Sequence, residues 1–339
     1  MSEGNLPRTE DAPQVGASSR PAPIKAIPVR HPWRWVAGIV LIIFGAMLIH
    51  TLVFSTSQQP NQSGSRFQWN IVGSYIFSPL IMQGVVLTIE LTIVSMIVGV
   101  SLGVLIAVMR LSKSRLISGS AWAYVWFFRG TPVLVQIYFW FYISALYPNL
   151  TLGIPFGPSF VSINMNAVLT AFWAGVLALS LNEGAYMSEI VRAGIISVDE
   201  GQGEAAHSLG MSKGKSLRLI VLPQAMRLII PPTGNETISM LKTTSLVSAI
   251  GVGELTHWSL DIAAQNYRFI QMMIVASIWY LAMTTILSIG QYYLERYYAR
   301  GSSRALPLTP FQQIKKNMRH YHLGPKKTES YDLPKVNHE

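Results

Sequence analysis

Seven acidic, lysine or arginine residues lie inside long apolar stretches of the sequence, where charge is scarce. They are Glu90, Arg129, Glu183, Glu189, Arg192, Glu236 and Lys242. A charged side chain at the centre of a lipid bilayer costs about 2.5–3.5 kcal/mol, so each of them is expected to face a partner or a water-filled cavity. The chemistry that these residues could perform is therefore recognition of charge away from bulk water.

Two groups among the seven have informative spacing. Glu189 and Arg192 stand three residues apart, which places them on one helix face and predicts a structural ion pair. Glu183, with Asn182 beside it, lies about 16 residues into its apolar stretch, about 24 Å along a helix axis and beyond the midplane. Glu183 could face a cavity, or it could pair with Lys242 or with other helices, and the sequence leaves both possibilities open.

Helices long enough to cross a membrane must position these residues, and crossing takes about 20 apolar residues. Six stretches qualify: Val36–Phe54, Leu80–Met109, Trp122–Leu146, Ala167–Ile195, Leu228–Val252 and Ile270–Tyr293. The chain of 339 residues is 50% hydrophobic and only 12% charged, against about 25% charged in soluble domains, which excludes an ordinary soluble enzyme. Its lack of cysteine excludes disulfides and thiolate metal sites. The predicted fold class is an all-α integral membrane protein.

Basic residues in the connecting segments predict the orientation. Twenty lysines and arginines lie on one side, in the N-terminal tail, in 110–118, in 198–224 and from Arg296 onward, against two on the other side. Such an excess marks the cytoplasmic side, so both termini are predicted to be cytoplasmic. Residues 1–34 are predicted to form a flexible tail because they contain little apolar material, and residues 298–339 form a basic tail.

The cytoplasmic segment 197–223 has the residues of two short helices. Ser197 and Glu200 have the spacing of a capping box, which predicts the start of the first helix. Gly210 is predicted to end that helix with a positive φ, and Pro223 to end the second. The expected product is a helix–turn–helix, although a plain amphipathic connector would show similar small residues and caps.

The same segment resembles the EAA loop found in permease subunits of binding-protein-dependent ABC importers. The match runs through Glu204-Ala205-Ala206-x3-Gly210-x9-Ile220-x-Leu222-Pro223. Four further stretches resemble the polar amino acid branch of that family: Arg129-Gly130-Thr131-Pro132 with Gln136, Gly184-Ala185-Tyr186-x2-Glu189-Ile190-x-Arg192, Gly201-Gln202, and Lys242-x-Thr244-Ser245-Leu246. The resemblance covers about Leu80 to Tyr297.

This resemblance implies a MetI-like type I ABC importer permease in a bacterial cytoplasmic (inner) membrane. Its five-helix core would occupy 80–297 with the EAA coupling loop at 197–223, and 35–55 would form one additional N-terminal transmembrane helix. The implied function is translocation of a polar or charged amino acid by alternating access. The alternative is a permease of the same fold for another small solute.

The resemblance also implies the partners. A pair of ATPase subunits would bind the coupling loop through Gly201, Glu204, Ala205, Ala206, Gly210, Ile220, Leu222 and Pro223. An identical or homologous second permease would complete the pathway, an extracytoplasmic solute-binding protein would deliver the amino acid, and lipid would surround the spans. No nucleic acid is expected as a partner.

An amino acid carries an ammonium and a carboxylate, so its site needs opposite charges or helix ends at membrane depth. Glu183 could bind the ammonium or a basic side chain, Lys242 could neutralise the carboxylate, and Asn182 and Gln136 would add polar contacts.

Catalysis by the chain itself is not expected. Gly210-x3-Gly214-Lys215-Ser216 is one residue too short for a phosphate-binding loop, and the histidines are scattered. We therefore predict a transporter subunit that holds no cofactor and no metal, with ATP and Mg bound by the partner ATPase.

Overall fold

The computed structural model describes residues 33–54, 67–154 and 159–298, and these are largely helical. The helices are α1 (Trp33–Phe54), α2 (Trp69–Tyr75), α3 (Pro79–Arg110), α4 (Arg115–Gly130), α5 (Val133–Leu146), α6 (Met165–Val168), α7 (Ala171–Ile196), α8 (Glu200–Ser208), α9 (Lys213–Ser216), α10 (Leu222–Thr243), α11 (Leu255–Asn266) and α12 (Phe269–Tyr298). By length and composition, two of the described helices, α3 and α12, could cross a membrane.

The chain divides into two units, residues 1–66 and 67–339. In the first unit, α1 covers the predicted stretch Val36–Phe54, and its side chains between residues 36 and 51 are almost all apolar and exposed. That α1 crosses a membrane as an additional span stays a prediction. Nearly all of the two predicted tails, residues 1–32 and 299–339, lies outside the described ranges.

Three of the predicted stretches differ from the observed helices. Trp122–Leu146 is divided between α4 and α5, because Thr131 precedes a proline and takes an extended conformation. Helix α7 begins at Ala171, four residues later than predicted, after the separate turn α6. The stretch Leu228–Val252 is not a separate helix, because α10 begins upstream of it and continues into a 3₁₀ helix, Thr244–Ile250.

The described fold is all-α as predicted, apart from one β-hairpin. Strands β1 (Asn149–Gly153) and β2 (Ser159–Asn164) pair antiparallel, with Asn149 opposite Asn164. The residue types explain the hairpin: the prolines and glycines between positions 148 and 158 disfavour a helix, whereas the valine, isoleucine, phenylalanine and threonine residues of this stretch favour strands.

Helices α3 and α7 form the central pair of the second unit. They approach closely because Gly99 and Gly103 face α7. A Cβ atom at Gly99 would lie 2.7 Å from the Cβ of Glu183, and one at Gly103 would lie 2.5 Å from the Cβ of Met187. The small-xxx-small spacing of these glycines therefore determines how α7 is positioned against α3.

The capping box predicted at the start of residues 197–223 (the coupling segment) is wrong. Ser197 is the C-cap residue of α7, where its hydroxyl donates to the carbonyl of Gly194 at 2.8 Å. The N-cap of α8 is Asp199 instead, and its carboxylate accepts from the backbone N–H of Gly201 at 2.7 Å. An aspartate one turn beyond the end of α7 can accept this hydrogen bond, whereas Ser197 is already used by α7.

The turn between α8 and α9 has the predicted conformation, since Gly210 has φ of +75°. The prediction that Pro223 ends the second short helix is wrong. Helix α9 continues through a π-helical turn, Leu217–Val221, directly into α10, whose first turn contains Pro223. A π turn widens the helix, which makes room for the ring of Pro223. The backbone N–H that proline lacks is then not needed for a helical hydrogen bond at this position.

Candidate functional site

A cavity of about 610 Å³ lies between the α4–α5 break, α7 and α10. The break supplies backbone and small side chains from Gly130 to Val133, because a helix interrupted before a proline leaves its chain extended there. Its polar and charged lining side chains are Arg129, Thr131, Asn182, Glu183, Tyr186, Glu236, Ser239 and Thr243. Three separate parts of the chain thus meet around one polar cavity.

Glu183 is the deepest charged group of this cavity. It is the 13th of the 26 residues of α7, which places it at the helix centre rather than beyond it as the sequence suggested. Only 5% of its surface is exposed, and its Oε1 atom has no hydrogen-bond partner among the described residues. Gly99 backs it on the α3 side, so its carboxylate is placed against the cavity without a partner.

Arg129 and Glu236 carry the other charges of the cavity. The guanidinium of Arg129 lies 5.0 Å from the ring centre of Tyr186, in cation–π contact, and 4.0 Å from the carboxylate of Glu189. Arg129 is therefore held to one side by groups of α7. The cavity offers two carboxylates, Glu183 and Glu236, and one guanidinium, which together can bind a solute that carries both signs of charge.

Asn182 and Gln136 hold the helix break in place. Both side-chain amides donate to the carbonyl of Phe128 at 2.9 Å, and Gln136 also donates to the hydroxyl of Thr131 at 2.8 Å. Gln136 does not line the cavity, whereas Asn182 does. These bonds satisfy backbone groups that the break leaves without helical partners, so Gln136 positions the cavity wall.

Lys242 lies apart from the other candidates. It is exposed on α10 and does not line the cavity, although its neighbour Thr243 does. Of the ion pairs found among the described residues, none joins Lys242 to Glu183. The pairing that the sequence left open is thus not formed, and Lys242 is not part of the cavity lining.

Glu236 and Ser239 also line the cavity, although the sequence indicated Glu236 only as a charge facing a partner or a water-filled cavity and did not indicate Ser239. Both lie on the face of α10 that lines the cavity, together with Met240 and Thr243. These residues follow one another at spacings of three, one and three, the repeat of a single helix face, which is the signal that could have found them.

Glu189 is the centre of a larger charge cluster than the predicted pair. Its carboxylate accepts from Arg192 at 3.1 Å and also from Arg110 at the end of α3. Arg129 approaches it from α4. Three arginines from three helices therefore share one carboxylate just above the coupling segment, and the sequence alone indicated only the nearest of them.

The coupling segment presents small and apolar residues at its surface. Gly201, Glu204, Ala205 and Gly210 are exposed, as are Leu222 and Pro223 at the start of α10, whereas Ala206 is buried and Ile220 half-buried. Leu209 and Leu219 are 83% and 63% exposed. Large exposed apolar side chains beside small residues are typical of a surface on which another protein docks.

Comparisons with known proteins agree on one family. The family described as binding-protein-dependent transport system inner membrane component matches residues 99–300. The arginine transport system permease protein ArgU of Corynebacterium glutamicum is 46% identical over 86% of this chain and 88% of its own length. The L-cystine transport system permease protein TcyB of Bacillus subtilis is 39% identical over 69% of this chain and 92% of its own.

Solved structures show the same fold. An amino acid ABC transporter crystallised with histidines is 36% identical and aligns with a TM-score of 0.57, over 68% of this chain and 97% of that one. The inward-facing MetNI methionine ABC transporter, at 18% identity, aligns with a TM-score of 0.52 over 65% of this chain and 97% of its own. The part of the chain that these alignments cover thus has the type I ABC importer permease fold.

Proposed function

Because the chain belongs to the family of binding-protein-dependent transport system inner membrane components, we propose that it is the permease subunit of an importer for a polar or charged amino acid. It is a transporter subunit and not an enzyme. The observation that carries the proposal is the unpartnered, buried carboxylate of Glu183 in a cavity between α4, α7 and α10. A buried charge without a partner is costly, so a site that retains one is built for a ligand that supplies the partner.

The charges of the cavity favour an amino acid with a basic side chain. Glu183 and Glu236 can each receive a cationic group, while Arg129, restrained by Tyr186 and Glu189, can receive the carboxylate. A charge-assisted hydrogen bond of this kind contributes about 1.5–3 kcal/mol. The name of the arginine transport relative is consistent with this substrate class.

Transport would proceed by alternating access. The extracytoplasmic solute-binding protein delivers the amino acid, and a second permease, identical or homologous, completes the pathway. The ATPase pair docks on the exposed face of α8 and the turn at Gly210. Because α9 continues through the π turn into α10, movement of the docked ATPase is transmitted along α10 to Glu236 in the cavity wall.

The membrane arrangement proposed is multi-pass with both termini in the cytoplasm. The distribution of basic residues supports it, since 110–118 and 198–224 are both rich in lysine and arginine. In this arrangement Asp199 and Gly210 face the cytoplasm, where the ATPase is.

Uptake into vesicles tests the proposal directly. The full chain is reconstituted into vesicles with its ATPase, its second permease and its solute-binding protein. These vesicles should take up radiolabelled arginine, histidine or glutamine only when ATP is present on the side of the membrane where the ATPase lies. Complexes without the ATPase are the control. ATP-driven uptake of a different solute class, with no amino acid transported, would refute the proposal.

A further inference from the structure

A second cleft lies on the same unit, outside the cavity of Glu183. It has a volume of about 670 Å³ and forms where the end of α3, the start of α4 and the end of α7 meet. Four basic side chains line it: Arg110, Lys113, Arg115 and Arg192. No acidic residue of the described chain is among its lining residues.

The positive charge of this cleft is only partly neutralised. Arg110 and Arg192 form ion pairs with Glu189, which lies behind them. Lys113 and Arg115 are exposed and form no ion pair with any residue that the structure describes. Only two of the four cations of the cleft are therefore paired with a carboxylate of the described residues, and Lys113 and Arg115 remain available to an anion.

The rim of the cleft is apolar. Trp122 lines it and is 56% exposed, and Ile196 is 55% exposed. Trp126, one turn further along α4, is 65% exposed and stacks on Trp122 with ring centres 6.4 Å apart. The basic cleft thus continues into a track of large apolar side chains along α4.

We propose that this cleft binds the phosphate headgroup of an anionic phospholipid, whose acyl chains lie along Trp122 and Trp126. The inference rests on the proposed function for one point, that 110–118 faces the cytoplasmic leaflet, where basic side chains meet anionic lipids. A soluble anion would need only the cations, whereas a phospholipid also fills the apolar track. Tryptophan at the level of the headgroups is typical of such positions.

Binding of fluorescent phosphatidylglycerol to the purified full-length chain, in phosphatidylcholine mixed micelles, tests this site. Each basic residue near an anionic surface contributes about 1 kcal/mol, so the double substitution Lys113→Gln and Arg115→Gln should weaken phosphatidylglycerol binding about 30-fold. The matched control is Lys213→Gln with Lys215→Gln, which removes the same charge from α9 outside the cleft. The control should bind as the unmodified chain does.

Three results would overturn the proposal. One is equal affinity of the two double variants for phosphatidylglycerol. Another is an unmodified chain that binds phosphatidylcholine as well as phosphatidylglycerol, a comparison that needs no variant to fold. The third is displacement of the lipid by millimolar inorganic phosphate, which would assign the cleft to a free anion.

The lipid-binding proposal and the transport proposal can be refuted independently of each other. Lipid binding in micelles requires neither ATP nor transport, so absent uptake with intact phosphatidylglycerol binding counts only against the transport function. Normal uptake without lipid preference counts only against the lipid site.

Discussion

Glu183 is buried, lacks a hydrogen-bond partner for one carboxylate oxygen among the described residues, and packs against a glycine of the neighbouring helix. Its Oε1 has no partner in the described structure, and Gly99 gives it room against α3. Neither of the other cavity charges is so placed, because Glu236 is less buried and Arg129 contacts Tyr186 and Glu189. At the scale of single residues, Glu183 is therefore the first position to test.

Replacing Glu183 by glutamine should reduce substrate uptake by one to two orders of magnitude. The substitution keeps the size and removes the charge, and a charge-assisted hydrogen bond contributes about 1.5–3 kcal/mol. Because no cation pairs with Glu183 in the described structure, the melting temperature in detergent should not fall. Uptake by reconstituted vesicles and thermal unfolding measure the two effects.

The matched control for this variant is Glu90→Gln. Glu90 is also a glutamate in an apolar helix, α3, but it is exposed and lies outside the cavity. Substrate uptake by the Glu90→Gln complex should stay at the level of the unmodified complex. Normal uptake by a stable Glu183→Gln complex would remove Glu183 from the substrate site.

Gly99→Ala should destabilise the protein by about 1–3 kcal/mol, because the added Cβ would lie 2.7 Å from the Cβ of Glu183 and push α3 from α7. Gly290→Ala, in α12, is the control, since nothing lies within 4 Å of its added Cβ. Melting temperatures of the two variants in the same detergent provide the comparison. An unchanged melting temperature for Gly99→Ala would mean that α3 and α7 are not held this closely.

At the scale of elements, the break between α4 and α5 depends on two amides. Gln136 and Asn182 donate to the same carbonyl, that of Phe128, from helices α5 and α7. The break therefore does not consist of loose chain. It is a fixed wall of the cavity, and α7 carries both that support and Glu183.

Gln136→Leu should cost about 1–3 kcal/mol of stability, because it removes one of the two donors to the buried carbonyl of Phe128 and the side-chain donor to the half-buried carbonyl of Thr131. Gln83→Leu on α3 is the matched control, because Gln83 is exposed and forms no side-chain hydrogen bond within the described ranges. Thermal unfolding measures both. Equal melting temperatures would show that the break is held by packing alone.

The coupling segment is the second element whose geometry depends on one residue. Gly210 has φ of +75°, which costs an L-residue about 1–2 kcal/mol. Gly210→Ala should therefore misplace α9 relative to α8 and reduce recovery of the ATPase in a pull-down with the permease. Gly214→Ala, inside α9 and with open space around its Cβ, should leave recovery unchanged. Equal recovery by both variants would contradict the role of this turn in docking.

At the scale of the whole molecule, the basic residues determine the predicted arrangement in the membrane. The 20-to-two distribution of lysine and arginine is a property of the entire chain, and no single loop provides it. The prediction from this distribution is that the segments 110–118 and 198–224 lie on the same side of the membrane as both termini.

A reporter that is active only in the cytoplasm should work when fused after Glu339. The same reporter inserted at Asn61 should be inactive, because five predicted spans, an odd number, separate Asn61 from Glu339. Reporter activity in whole cells, normalised to the amount of fusion protein, measures this. The reverse pattern would overturn the proposed orientation.

The sequence alone sufficed for the features that depend on neighbours along the chain. Apolar stretches indicated most of the helices, the glycine at 210 indicated a positive φ, and the spacing of Glu189 and Arg192 indicated their contact. Local predictions failed where two residues competed for one role. Asp199 rather than Ser197 caps α8, and a π turn allows the helix to continue past Pro223.

Only the tertiary structure decided which faces of the helices meet. Lys242 and Glu236 lie on one helix, yet Glu236 lines the cavity and Lys242 does not. Arg110 reaches Glu189 across 79 positions of sequence. Periodicity establishes which residues share a helix face, but the rotation of each helix about its axis is determined by packing, here by the close approach of α3 and α7 at Gly99 and Gly103.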